Sequence, residues 1–169
     1  MNPTLQSWNA AGADAALDAM IACCCAHRWA EAMVTLRPIP SVFELSEAAD
    51  RVWSTMEEPD WIEAFACHPR IGERKAARAS AKSAAWSSQE QSSASGAESD
   101  VLEELAEGNA LYEQRFGFTY IVCATGKSAD EMLAILNRRL TSDRATELRE
   151  AAEQQRQITQ IRLGKWLVE

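Results

Sequence analysis

A chain of 169 residues, 47% hydrophobic and 25% charged, has the length and mix of one ordinary globular domain that can bury a core without covalent staples. Its formal charge of −8, from 25 acidic and 17 basic side chains, argues against nucleic acid or an anionic membrane as partner. No apolar run approaches membrane-spanning length, and residues 1–20 lack the basic start and apolar stretch of a secretion signal.

Helical periodicity dominates the chain. Leu17, Met20, Ile21 and Cys24 share one face of a first helix reaching about Trp29 or beyond. Arg37-Pro38-Ile39-Pro40 interrupts. Ser41 and Glu44 then form a capping box ahead of Leu45, Ala48, Ala49, Val52, Trp53 and Met56, spaced by threes and fours. Pro59-Asp60 precedes a short helix with Trp61, Ala64 and Phe65. From about Lys75 to Asp100 the chain turns Ala- and Ser-rich, which predicts helical stretches with local mobility. Val101, Leu102, Leu105, Asn109, Tyr112 and Phe116 trace the next helix, with Gly117 where helices are commonly capped. An extended run over 118–124 follows, then a second capping box, Ser128 with Glu131, and a helix carrying Met132, Ile135, Leu136 and Leu140. A last helix runs from about Asp143 to the end. The expectation is an all-α fold, a single compact multi-helix domain over 1–169 with one short extended segment.

Gly126-Lys127-Ser128 invites a nucleotide-binding reading. A phosphate-cradling loop needs a glycine five residues before Gly126, and Ile121 stands there. Gly126 is therefore read as a turn and Ser128 as a cap. The extended run has no visible partner strand, so its backbone N–H and C=O groups need other partners, and a ligand could supply them.

Three places could carry chemistry. In Cys67-His68-Pro69-Arg70-Ile71-Gly72-Glu73 the proline disfavours helical geometry at His68 and presents a side chain that titrates near neutral pH on a rigid bend. The bland reading is a histidine at a helix end. Ser87-Ser88-Gln89-Glu90-Gln91 reads most plainly as a helix start capped by Ser87. Arg162 continues the stripe of Leu148, Ala151, Ala152, Gln155 and Ile158, where an inward arginine needs a carboxylate or a bound anion; a snorkelling surface arginine is the alternative. Cys23, Cys24, Cys25 and His27 lack the separated pairs of a zinc site, and His27 falls on the apolar face as a packed histidine. The six tryptophans are read as core or rim. Five cysteines, three of them consecutive, suggest no disulfide framework and fit a reducing cytoplasm.

In this order the pieces resemble the 2-oxo-4-hydroxy-4-carboxy-5-ureidoimidazoline (OHCU) decarboxylases. They are Asp60-Trp61 with His68-Pro69-Arg70-Ile71-Gly72, then Ser87-x-x-Glu90-Gln91, then Phe116-Gly117-Phe118-x-Tyr120-Ile121-Val122-Cys123-Ala124, and last Ile158-x-x-Ile161-Arg162-Leu163. Trp29-Ala30 with Met33, Arg37-Pro38, and the Gly126-Lys127-Ser128 turn also fit the pattern. The resemblance implies cofactor-independent, metal-free decarboxylation of OHCU to (S)-allantoin with stereospecific protonation, the last step from urate to allantoin. It makes His68, Glu90 and Arg162 the catalytic set. Pro69, Ser87, Gln91 and the backbone of Tyr120, Ile121, Val122, Cys123 and Ala124 become the substrate-binding positions. The competing expectation is a catalytically inactive helical module that binds ureides or a protein. Partners are the small-molecule substrate and product, with no nucleic acid or membrane and with a homodimer left open. The chain ends Leu167-Val168-Glu169 instead of the peroxisomal address of some eukaryotic relatives, so the cytoplasm is expected.

Overall fold

The computed structural model describes residues 2–71, 80–94 and 99–169. Among them are nine α-helices, one short 3-10 turn at Ser92–Ala94 and no strand, so the fold is all-α. The helices are α1 (Pro3–Ala10), α2 (Ala13–Cys23), α3 (His27–Thr35), α4 (Val42–Trp53), α5 (Glu58–Phe65), α6 (Ala81–Glu90), α7 (Ser99–Phe116), α8 (Ala129–Arg139) and α9 (Arg144–Trp166). They form two compact units, one of Met1–Ala64 with Arg156–Glu169 and one of Phe65–Gln155. Part of the Ala- and Ser-rich stretch expected to be locally mobile lies outside the described residues.

In the first unit the caps follow the sequence. Ser41 Oγ accepts from Glu44 N–H at 3.1 Å, and α4 turns Leu45, Ala48, Ala49, Val52 and Trp53 inward. Trp29 is fully buried and donates to Ala49 C=O at 3.1 Å, so this core tryptophan also has its polar atom satisfied. The loop after α3 is fastened by polar groups. Asn9 exchanges two hydrogen bonds with the Ile39 backbone, and Arg37 Nη1 donates to Trp8 C=O and Ala11 C=O.

Two expectations fail here. The single first helix is broken at Cys24, whose backbone is extended, and α3 begins at His27. Ala26 has no side chain to cap α3. Glu63 does so from α5, accepting the His27 N–H at 3.2 Å and pairing with its ring Nδ1 at 2.7 Å. His27 is consequently exposed at a helix start rather than packed on an apolar face. The cysteine expectation is corrected too: Cys25 and Cys67 are half-cystines, while Cys23, Cys24 and Cys123 are free.

In the second unit Gly117 ends α7 with φ of +83°, a left-handed conformation that glycine adopts at no steric cost. The chain then runs extended beneath an aromatic cluster in which Tyr112 lies 4.7 Å from Phe116 and 5.4 Å from Tyr120, centroid to centroid. Gly108 lets α7 approach α8 closely, because a Cβ there would sit 2.6 Å from Leu136 Cδ2. Gly126 turns the chain with φ of +77°, and Ser128 caps α8 by accepting from Glu131 N–H at 3.1 Å.

Candidate functional site

His68 follows α5 on a bend, half-buried, with Pro69 buried behind it. Its Nε2 lies 2.6 Å from Gln155 Oε1 on α9. An amide oxygen there favours a proton on Nε2 in the neutral ring and accepts equally well from the imidazolium. Two residues later Arg70 forms a bidentate pair with Glu113 of α7, at 2.7 and 2.8 Å, which ties the segment down.

Gln154, the neighbour of Gln155, accepts from Cys123 N–H at 2.8 Å. Adjacent residues of one helix thus hold both His68 and the extended run. Lys127 Nζ donates to Cys123 C=O at 2.7 Å, and Arg139 Nη1 donates to Ile121 C=O at 2.5 Å. The expectation that this run leaves its backbone groups open is therefore corrected in part. Ile121 C=O and both Cys123 groups are taken by side chains, and Ala124 C=O accepts from Lys127 N–H at 2.9 Å.

Arg139 is 3% exposed and Glu147 is 1% exposed, so the run rests on a buried ion pair. Glu147 Oε1 accepts from Arg139 Nε and from Tyr112 Oη, each at 2.5 Å. Burial, reinforced by the bond to Glu147, pushes the Tyr112 hydroxyl well above the usual phenol range. Burial likewise raises Tyr120, whose hydroxyl donates to Met132 C=O. Burial, the largest single influence, would lower the pKa of Arg139, but the hydrogen bond to Glu147 and the charges of Tyr112, Glu147 and Tyr120 together outweigh it and raise it.

Ser87 and Glu90 are both buried on α6, three residues apart and so on one face. The reading of Ser87 as a helix start is overturned. Ser80 caps α6 by accepting from Ser83 N–H, and Ser87 sits seven residues into the helix with Gln91 at its C-cap. A capping pattern is also a helix-interior pattern when its serine is covered by tertiary packing. Arg162 belongs to the first unit, 3% exposed on α9 beside Thr159 and Leu163, where its charge acts on the Cys24 thiol.

Three of the site's side chains carried no role in the sequence. Gln155 shared the inward stripe with Arg162, and a buried amide on an apolar stripe was the signal. Gln154 and Arg139 gave none, since their partners are 31 and 18 residues away.

The OHCU decarboxylase family model matches residues 9–164. A uric acid degradation bifunctional protein of Arabidopsis thaliana is 38% identical over 144 residues, covering 85% of this chain and 44% of that protein. The chain thus spans less than half of that relative. An OHCU decarboxylase of Haloferax volcanii is 29% identical over 136 residues, covering 80% of this chain and 79% of its own. Among solved structures, an OHCU decarboxylase crystallised in the presence of (S)-allantoin superposes with a TM-score of 0.76 at 32% identity, covering 88% of this chain and 96% of that one.

Proposed function

Because this chain belongs to the OHCU decarboxylase family, we propose that it releases the carboxylate of OHCU as carbon dioxide and protonates the product on one face to give (S)-allantoin. The observation that supports it best is the pair Gln154–Gln155, which anchors the extended run and the His68 ring to one turn of α9.

The substrate carries hydroxyl and carboxylate on one ring carbon and the ureido group on the next. As the bond to the carboxylate breaks, its electron pair passes into the ring and leaves an enol across those two carbons. The enol then gains a proton at the ureido-bearing carbon while the hydroxyl loses one and becomes the carbonyl. One proton enters, one carbon dioxide leaves, and no electron acceptor is needed. His68, positioned by Gln155, exchanges the proton. Glu90 orients the reacting groups, Arg162 meets an anionic or carbonyl oxygen, and Pro69, Ser87, Gln91 and the run Tyr120–Ala124 hold the ring. The family match runs through both units, which supports reading 1–169 as one functional domain.

The cytoplasm is the proposed compartment. The free thiols Cys23, Cys24 and Cys123 support it, the half-cystines Cys25 and Cys67 stand against it, and cell fractionation decides.

The test of function is optical. Added to freshly generated OHCU, the protein is expected to speed formation of dextrorotatory (S)-allantoin over the racemic spontaneous reaction. His68→Asn is expected to stay folded, lose at least about a hundredfold in turnover and lose control of handedness. Racemic product at the buffer rate from the unaltered protein overturns the proposal.

A further inference from the structure

A trans peptide group is planar, with its C=O and N–H pointing in opposite directions, so holding one end aims the other. Three successive peptide groups between Ile121 and Ala124 are each held at one end by a side chain. Arg139 holds Ile121 C=O, Gln154 holds Cys123 N–H, and Lys127 holds Cys123 C=O. The opposite ends are Val122 N–H, Val122 C=O and Ala124 N–H. None of these has a hydrogen-bond partner among the described residues. In extended backbone, groups of alternate residues leave by opposite edges. From Ile121 C=O to Cys123 C=O one edge is therefore satisfied by side chains, and the opposite edge shows a donor, an acceptor and a donor.

We propose that Arg139, Gln154 and Lys127 are positioning residues that aim this edge at the substrate's ureide or carbamoyl groups, whose C=O acceptors lie beside N–H donors. None of the three touches the substrate. The proposal rests on the preceding reading, that the run lines the substrate site, and adds which side chains set its direction. The holders are themselves held. Arg139 is braced by Glu147 and Tyr112, and Gln154 Nε2 donates to Glu150 Oε1 at 3.2 Å. A brace this stiff matters for recognition because an aligned hydrogen bond weakens steeply with angle.

Gln154→Leu tests it, since it removes one neutral acceptor from a half-buried helix position. KM and the dissociation constant of (S)-allantoin are expected to rise about tenfold, the worth of one well-aligned hydrogen bond, while kcat changes by less than about threefold. Glu150→Gln/Gln154→Glu keeps an acceptor for Cys123 N–H and an amide donor between the two positions, and is expected to restore both. Amide NMR of the ligand-free protein should show Val122, Cys123 and Ala124 displaced in Gln154→Leu and restored in Glu150→Gln/Gln154→Glu. Wild-type KM and allantoin affinity in folded Gln154→Leu overturn the proposal, as does failure of Glu150→Gln/Gln154→Glu to restore them. If Gln154→Leu does not fold, Lys127→Met removes the donor to Cys123 C=O and carries the same KM test. An unaltered protein without turnover or allantoin binding overturns the decarboxylase reading and, with it, the role in recognition. The ligand-free amide spectra then still decide whether these side chains aim the run.

Discussion

Replacing Arg139 by methionine keeps an unbranched side chain of similar length and deletes the guanidinium. Glu147, 1% exposed, is then left with Tyr112 Oη as its one remaining partner among the contacts described above. Breaking a buried pair from one side costs about 3–5 kcal/mol, because a charge is stranded away from water. At about 2–4 °C per kcal/mol for a chain of this size, the thermal midpoint should fall by roughly 10 °C. The double variant Arg139→Met/Glu147→Leu strands no charge, so it should recover at least about 2 kcal/mol of the loss. It should stay about 1–3 kcal/mol below the unaltered protein, since Ile121 C=O has lost its donor. Urea unfolding of the four proteins closes the cycle. A single Arg139→Met variant within about 1 kcal/mol of the unaltered protein, or a double variant as unstable as the sum of the singles, would refute the reasoning.

Two comparisons separate local structure from the site. Ser41→Ala removes only the α4 cap and should cost about 1 kcal/mol in urea unfolding with turnover unchanged, whereas Glu90→Ala should lower turnover more than about tenfold beyond any stability effect. Equal kinetic behaviour of the two variants would remove Glu90 from the proposed catalytic set. Burial pushes the Cys24 thiol up from 9.0 to about 11, so the stability it contributes is whole below pH 9 and is lost as pH rises through 11. Unfolding free energy should therefore fall by about 2–3 kcal/mol more over that window in the unaltered protein than in Cys24→Ala, and parallel curves would contradict it.

The elements that sequence determined are those whose causes are local. The Ser41 and Ser128 caps are hydrogen bonds to backbone three residues on, and the end of α7 needs only a glycine that tolerates positive φ. The inward stripe of α9 was legible because periodicity and burial are one fact, and Gln155 and Arg162 on it are indeed buried. Tertiary structure decided whatever depended on a partner far along the chain. Glu63 starts α3 from 36 residues away, which is why the break after Cys23 and the exposure of His27 left no local trace. Packing buries Ser87 inside α6, where a capping pattern had pointed to a helix start. The His68 ring is held from 87 residues away, and the extended run by side chains from α8, α9 and the turn that precedes α8. Sequence showed that the run's backbone groups needed partners, because no strand was available to pair with them. Which ends were taken, and so which edge remained for a ligand, was fixed only when the helices brought Arg139, Lys127 and Gln154 to one side of it.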